Sequence, residues 1–467
     1  EFMNRYTVAI IGGGPGGYVT AIRLNQYGID NIVFEKERLG GICLNWGCIP
    51  TKALVKTAEL YNECIHAQDF GISINGLSVD FKRVFSRKEE AKNQLVSGIE
   101  FIFRKRKIPV LTEKVTDIYK ENDGYRIVYN NGEVKAKYVI LATGSIPKEL
   151  MSMRFDYSSI ISSKEMLKLD TLPQSLVVIG GGVIGCEFAS IFSQLGVSVN
   201  IVEFLPTLLS TEDLEVSRRL TLALKKQGIG VYPNTTIESY KKNADKVLLN
   251  LSNGKQIETD LVLMSVGRRP YCDISFHNAT LQWENQAIKT DSHFRTNLPN
   301  VFAIGDVTGK MLLAHVASRQ GLITAAEIAR QEKDIISNLD QLIYENIPRC
   351  TFTNPEISSV GLTEAQARER YDDVKIGKFP FTANSKAVTQ ANTFGFVKAI
   401  AAADTNKLVG MHIIGPQATE LIAEGAVLLG QDITLEKLEK IVYAHPTLSE
   451  AVGESMEDIK GLAIHKM

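Results

Sequence analysis

The chain has 467 residues, 44% of them hydrophobic and 22% charged, with a formal net charge of -1. That is too long for one ordinary core, so about two to four domains are expected. The near-neutral charge gives no reason to expect nucleic acid or an anionic membrane surface as the main partner, and no apolar run is long enough to span a bilayer.

Glu1-Phe2 ahead of Met3 reads as a cloning scar, which places the expected native start at Met3 with no room for a signal or transit peptide. Residues 6–36 then follow the order strand, Gly-rich turn, helix, strand. Gly12, Gly14 and Gly17 fit G-x-G-x-x-G, which supplies a tight turn, close approach to a pyrophosphate and close helix–strand packing. The helix is expected from about Gly14 to Tyr27, stopping at Gly28. Glu35 ends the second strand, 23 positions after Gly12, where it can bond ribose hydroxyls.

Immediately afterwards comes Gly40-Gly41-Ile42-Cys43-Leu44-Asn45-Trp46-Gly47-Cys48-Ile49-Pro50-Thr51-Lys52. Two cysteines five positions apart, beside a dinucleotide unit, read as a redox-active dithiol. A helix opening at Ile49-Pro50 would turn its positive end toward Cys48 and favour a thiolate there, with Lys52 adding charge. A zinc site would need further ligands, and the chain has no second Cys or His pair at ligand spacing, so no metal is expected. A purely structural disulfide is the other alternative. It would be odd here, because the remaining cysteines, Cys64, Cys186, Cys272 and Cys350, are scattered in the manner of a cytoplasmic protein. A helical stretch follows over about 50–107, whose basic run Arg104-Lys105-Arg106-Lys107 reads as a solvated helix end.

The first construction then returns. Ser175–Ile179 leads into Gly180, Gly182 and Gly185, a helix ending at Gly196, and a strand ending at Glu203, again 23 positions after the first glycine. Two such units imply two dinucleotides bound at once. Each is closed by a similar strand, Tyr138–Gly144 and Leu261–Gly267. Glu203 suits a free ribose 2′-hydroxyl and repels a 2′-phosphate, and Phe204-Leu205-Pro206 supplies no base, so NAD is favoured over NADP. A strand over Val301–Asp306 follows, in which Asp306 is either a turn former or a ligand to a cofactor hydroxyl, and then an Ala-rich helix over about 314–331.

From about residue 345 the texture is α+β. Strands are expected at Ile357–Val360, Lys375–Phe379, Phe396–Ile400 and Leu408–Ile414, with helices at about 417–430, 434–441 and after Leu448. In Ala444-His445-Pro446-Thr447-Leu448-Ser449-Glu450 the residue before proline avoids the α region, so His445 is held in a loop. It is either an exposed loop residue or a catalytic base. Thr447-x-x-Glu450 fits a capping box, which offers Glu450 a structural role.

These stretches, together with Ala-Thr-Gly-Ser at 142–145, Gly-Arg-Arg-Pro at 267–270 and Gly-Asp at 305–306, resemble the flavoprotein disulfide reductases (class I pyridine nucleotide-disulfide oxidoreductases) over essentially residues 4–460. Within them the chain is most similar to the branch that oxidises dihydrolipoyl groups and reduces NAD+. The resemblance implies an α/β fold with two Rossmann-like dinucleotide-binding domains and an α+β C-terminal dimerisation domain. Residues 1–148 would form the FAD domain with the cysteine pair, 149–270 the NAD domain, 271–344 a central domain completing the FAD site, and 345–467 the interface domain.

FAD would meet Gly12, Gly14, Gly17, Glu35, Lys36, Gly41, Lys52, Thr143, Gly144, Asp306, Ala314 and His315. NAD would meet Gly180, Gly182, Gly185, Glu203 and Gly267. The catalytic set implied is Cys43, Cys48, His445, Glu450, Lys52 and Glu187, with Lys52 and Glu187 pairing beside the flavin and His445 and Glu450 reaching the cysteine pair of the other subunit. Glu187 could equally be a first-turn acid complementing its helix dipole.

The implied reaction begins when a dihydrolipoyl thiol, deprotonated by His445, attacks Cys43 in a Cys43–Cys48 disulfide and leaves Cys48 as a thiolate. The expected partners are a second copy of the chain and the lipoyl domains of 2-oxoacid dehydrogenase complexes, with a glycine-cleavage carrier as a further candidate. A glutathione-reductase-like enzyme would want NADP and basic residues after the second strand. A mercuric-reductase-like enzyme would carry a C-terminal cysteine pair, and neither feature is present. A docking subunit of a large assembly is the reading from a different class, and the intact Cys43, Cys48, His445 and Glu450 set argues for activity.

Overall fold

Val8–Ile11 is buried on both faces, as a central parallel strand must be. It sits mid-sheet in the computed structural model of the chain, which describes residues 5–243 and 245–466. The expectation about Glu1, Phe2 and Met3 lies outside those residues. The chain forms two compact units, one of residues 1–53, 82–148 and 267–342, the other of residues 54–81, 149–266 and 343–467.

In the first unit Arg5–Ile11 pairs in parallel with Asn31–Phe34 on one side and with Gly132–Leu141 on the other. The Gly132–Leu141 strand does two jobs. Its early residues join the antiparallel meander through Gly124–Tyr129 and Val115–Glu121, and its last three pair in parallel with Val301–Ala303. Alternation sends Val8, Ile10 and Ile140 to one core and Ala9, Ile11 and Leu141 to the other. The helices Pro15–Gln26 and Ala314–Lys333 pack closely because Gly321 has no side chain: a Cβ there would lie 2.1 Å from Thr20 Oγ1 and 2.8 Å from the Gly16 carbonyl. The helical stretch expected over 50–107 is interrupted. It resolves into Cys48–Ile65, a 3₁₀ turn Ala67–Phe70 and Phe81–Arg106, broken by Gly71 and Gly76 at φ 79° and 74°. Arg104, Lys105 and Arg106 do form an exposed last turn, where cations complement the helix dipole.

In the second unit a five-stranded parallel sheet has the order Gly230–Tyr232, Ser198–Val202, Ser175–Ile179, Leu261–Met264, Ile160–Ile161. Residues 343–467 add a five-stranded antiparallel sheet, built on Glu356–Gly361, Lys407–Gly415, Phe396–Ala402 and Val374–Pro380, with the helices Ala418–Gly430 and Glu450–Asp458 packed into its core. Buried Lys398 reaches from this sheet to Asp213 at 3.0 Å and Glu364 at 2.7 Å. Asp213 in turn caps the helix Leu214–Lys226. A buried ammonium needs such partners, since its unpaired burial is costly. Among the described residues no helix is long and apolar enough to cross a membrane.

Candidate active site

The two Gly-rich turns fold alike. Gly12 and Gly180 take φ 112° and 103°, and a Cβ at either would strike the carbonyl of Ala142 at 2.1 Å or of Ser265 at 2.5 Å. Gly17 and Gly185 lie against the carbonyls of Gly12 and Gly180, where a Cβ would approach to 1.8 and 2.0 Å. Gly14 and Gly182 cap their helices without any side-chain cap, and a Cβ at Gly182 would point into open space. Uncapped first-turn N–H groups at the mouth of an open cradle suit a pyrophosphate.

The acids match too. Glu35 accepts the N–H of Gly13 at 2.8 Å and of Glu37 at 2.9 Å; Glu203 accepts those of Gly181 and of Leu205, the latter at 2.6 Å. Burial pushes the Glu35 carboxyl up, while those N–H groups draw it down. Each carboxylate oxygen keeps a second lone pair for a ribose hydroxyl. The residues present therefore fit two dinucleotides.

Beside the first cradle, Gly40 and Gly41 at φ 101° and 58° bring the chain onto Gly14, where a Cβ on Gly41 would come within 2.5 Å of the Gly14 Cα. The short helix Gly41–Trp46 carries Cys43, and after Gly47 the helix Cys48–Ile65 begins. That start is one residue earlier than Ile49-Pro50 implies, so Cys48 itself occupies the first position at the positive end. Pro50 is harmless there, because first-turn N–H groups have no helical partner. Buried Asn45 ties the turn together by donating to the carbonyls of Leu39 at 3.1 Å and Gly41 at 3.0 Å. No disulfide joins the two cysteines in this structure. The Cys43 thiol is pushed far up by its hydrogen bond with Cys48, then by burial and by the charge on Cys48, against a smaller pull from Lys52.

On the far side of this cradle the structure corrects one expectation. The last strand stops at Ala303, and Asp306 lies in a 3₁₀ turn, Gly305–Thr308, because Gly305 has φ 75°. Asp306 Oδ2 accepts the Ser145 hydroxyl at 2.5 Å, and Arg268 donates to Ser145 Oγ through Nε and to the Ser145 carbonyl through Nη2, both at 2.8 Å. Burial raises the Asp306 carboxyl despite both neighbours. Ser145 and Arg268 escaped the sequence reading as site residues, although both lie in stretches it singled out. Thr143 donates to the Tyr271 carbonyl at 2.6 Å, and the Lys36 ammonium lies 5.3 Å from the Tyr271 ring centroid. Ala314 and His315 are the first two residues of their helix, and Gly267 falls in this first unit.

In the second unit Glu187 is the fifth residue of the helix Val183–Gln194, so the first-turn dipole role does not apply. It is buried and accepts the backbone N–H of Phe352 at 2.9 Å. His445 precedes a cis proline, and its Nδ1 pairs with Glu450 Oε1 at 2.9 Å. Its side chain is 68% exposed. Glu450 Oε2 accepts the Thr447 N–H at 2.8 Å. Burial would raise the Glu450 carboxyl, but Thr447 and His445 hold it below the usual range. The capping box is half made: the Thr447 hydroxyl donates to the Ala444 carbonyl, and Ser449 is the residue flanking the helix.

Residues 6–321 match the pyridine nucleotide-disulphide oxidoreductase family, and residues 347–456 match its dimerisation domain. The chain belongs to this family, an oxidoreductase with the C-terminal domain of a homodimer. Members use FAD and NAD, the two dinucleotides the two cradles fit. Among curated relatives, the chain is 37% identical to a dihydrolipoyl dehydrogenase of Bacillus subtilis, over 98% of this chain and 100% of that one. It is 38% identical to the mitochondrial dihydrolipoyl dehydrogenase of Schizosaccharomyces pombe, over 97% and 89%. Among solved structures it is similar to an HOCl-induced flavoprotein disulfide reductase of Escherichia coli, with TM-score 0.83 and 26% identity over 97% of this chain and 99% of that one.

Proposed function

We propose that this chain is a dihydrolipoyl dehydrogenase, oxidising protein-bound dihydrolipoyl groups and reducing NAD+. The observation that carries the reading is the Cys43–Cys48 pair, brought beside a dinucleotide cradle by the close approach of Gly41 to Gly14. The family and the relatives named above support it. FAD, when bound, accepts two electrons from the dithiol side and donates hydride to NAD+. In the oxidised pair a substrate thiolate attacks Cys43 Sγ, the Sγ–Sγ bond breaks, and Cys48 leaves as a thiolate at the positive end of its helix. The second substrate thiol displaces Cys43, so the lipoyl group leaves as a disulfide and both cysteines end reduced.

With Nδ1 of His445 engaged by Glu450, Nε2 is the nitrogen left to take the substrate proton. The exposure of that imidazole supports its use by a partner subunit, so we place His445 and Glu450 opposite the cysteine pair of the second copy. Glu203 supports NAD over NADP. Residues 1–148 would hold FAD, 149–270 NAD, 271–344 the rest of the FAD site, and 345–467 the dimer interface. Lys52 and Glu187 would serve the flavin edge. The lipoyl domains of 2-oxoacid dehydrogenase complexes, and a glycine-cleavage carrier, would deliver the substrate in the cytoplasm, a location the scattered cysteines favour.

One assay decides between this reading and its nearest rival. The flavin-loaded protein should reduce NAD+ with dihydrolipoamide and fail with NADPH and oxidised glutathione. The reverse pattern would overturn it.

A further inference from the structure

The redox turn contains a tryptophan that the chemistry above does not use. Trp46 ends the helix Gly41–Trp46, three residues after Cys43 and two before Cys48. Its indole Nε1–H donates to Glu37 Oε2 at 3.1 Å. The ammonium of Lys92 lies 5.2 Å from its ring centroid. Lys92 is buried on the helix Phe81–Arg106 and pairs with Glu89, which Lys88 also approaches at 2.9 Å. A buried lysine held over an indole face is an anchored cation–π contact, stronger than the exposed kind.

Helices as short as Gly41–Trp46 are not stable by themselves and take their direction from tertiary contacts. Asn45 fastens this one to its own preceding loop, through the carbonyls of Leu39 and Arg38. Trp46 fastens its last residue to a separate long helix. One residue, Gly47, then separates that anchor from Cys48. A disulfide forms only when both sulfurs are held within a narrow geometry.

Building on the proposed function, we propose that Trp46, clamped between Lys92 and Glu37, is a positioning residue for the Cys43–Cys48 pair. The clamp fixes the end of the Cys43 helix relative to the start of the Cys48 helix and so sets how readily the two thiols close to a disulfide. Closure releases two protons and two electrons from the dithiol, and any dithiol/disulfide couple in solution can take them up. Loosening the clamp lowers the effective concentration of one thiol at the other and makes the couple more oxidising.

The test uses the flavin-loaded dimer equilibrated with mixtures of dithiothreitol and its cyclic disulfide, trapped with a maleimide, and read by mass spectrometry for Cys43–Cys48 disulfide. Lys92→Gln and Trp46→Leu should each lower the closure constant about tenfold, equivalent to ~30 mV toward more oxidising. Lys92→Arg, which keeps a cation over the ring, should return it to within about twofold of wild type. The double variant should match Trp46→Leu, since that change already removes the contact that Lys92→Gln breaks. Closure constants within about twofold of wild type for Lys92→Gln, an Arg variant as poor as Gln, or effects that multiply in the double variant would each overturn the proposal. If Trp46→Leu does not fold, the Lys92→Gln and Lys92→Arg pair decides alone. Because no lipoyl substrate enters the measurement, a wild type inactive toward dihydrolipoamide would defeat the proposed function and leave this test standing.

Discussion

The cradle around Gly12 and the cradle around Gly180 are nearly the same object. Each has a parallel strand, a positive-φ glycine, an uncapped helix start and an acid that accepts two backbone N–H groups. Even the packing repeats. A Cβ on Gly13 would strike Leu39 and Glu35, and one on Gly181 would strike Leu208 and Glu203.

What differs is the chain between the acid and the next parallel strand. After Glu35 it is long, presses Gly41 onto Gly14 and brings in both cysteines before reaching Val110. After Glu203 it is short, leaves Phe204 71% exposed, and inserts only the helix Leu214–Lys226 before Gly230. Two positions past the last glycine the first helix has Val19 and the second has buried Glu187. Repetition of the scaffold accounts for two dinucleotides; the insert brings a cysteine pair to the first cradle alone.

The harshest test of that contrast removes the insert's sulfurs. Cys43→Ser or Cys48→Ser should cut dihydrolipoamide-dependent NAD+ reduction by roughly a thousandfold or more while flavin absorbance is retained. Flavin loss instead would make the pair part of the cradle. Next come the matched glycines. Gly17→Ala and Gly185→Ala each force a methyl onto a carbonyl at 1.8 or 2.0 Å. Overpacking of this kind should weaken the bound dinucleotide by about ten- to a hundredfold. Flavin content should fall only in Gly17→Ala. Gly185→Ala should keep its yellow colour and its reduction by dihydrolipoamide while losing affinity for NAD+, read by titration. Equal flavin loss in both would break the division of labour.

A milder change targets the second acid. Glu203→Ala with Phe204→Arg removes a carboxylate and offers a phosphate partner at an exposed position, and should move the NADP-to-NAD preference by about tenfold or more. A wild type that already prefers NADP would contradict the role given to Glu203. The smallest expected change concerns the third element of the site. Homodimers of Cys48→Ser and of His445→Gln should both be nearly inactive, yet mixing them should restore roughly a quarter of wild-type activity. Half the dimers are mixed and one site in each is whole, if sites are shared across a two-fold axis. Demonstrated subunit exchange without recovery would place His445 outside the site.

Sequence alone determined the features that live within a few residues of each other. Positive-φ glycines, the apolar strands, the acids at strand ends, the cysteine spacing and the loop-bound His445 all follow from local backbone sterics and periodicity, so the double cradle was legible at once. Tertiary structure decided the rest, because it joins positions far apart in the chain. Ser145 and Arg268 become partners of Asp306 only when three segments meet, and Glu187 becomes an acceptor for Phe352 only after folding. Thr447 shows the same limit at short range. Its pattern signals a capping box, but the turn at cis Pro446 offers its hydroxyl the Ala444 carbonyl, and Glu450 is left to hold both the Thr447 N–H and the His445 ring. A pattern lists which bonds are available; which of them form depends on the competing partners that folding brings within reach.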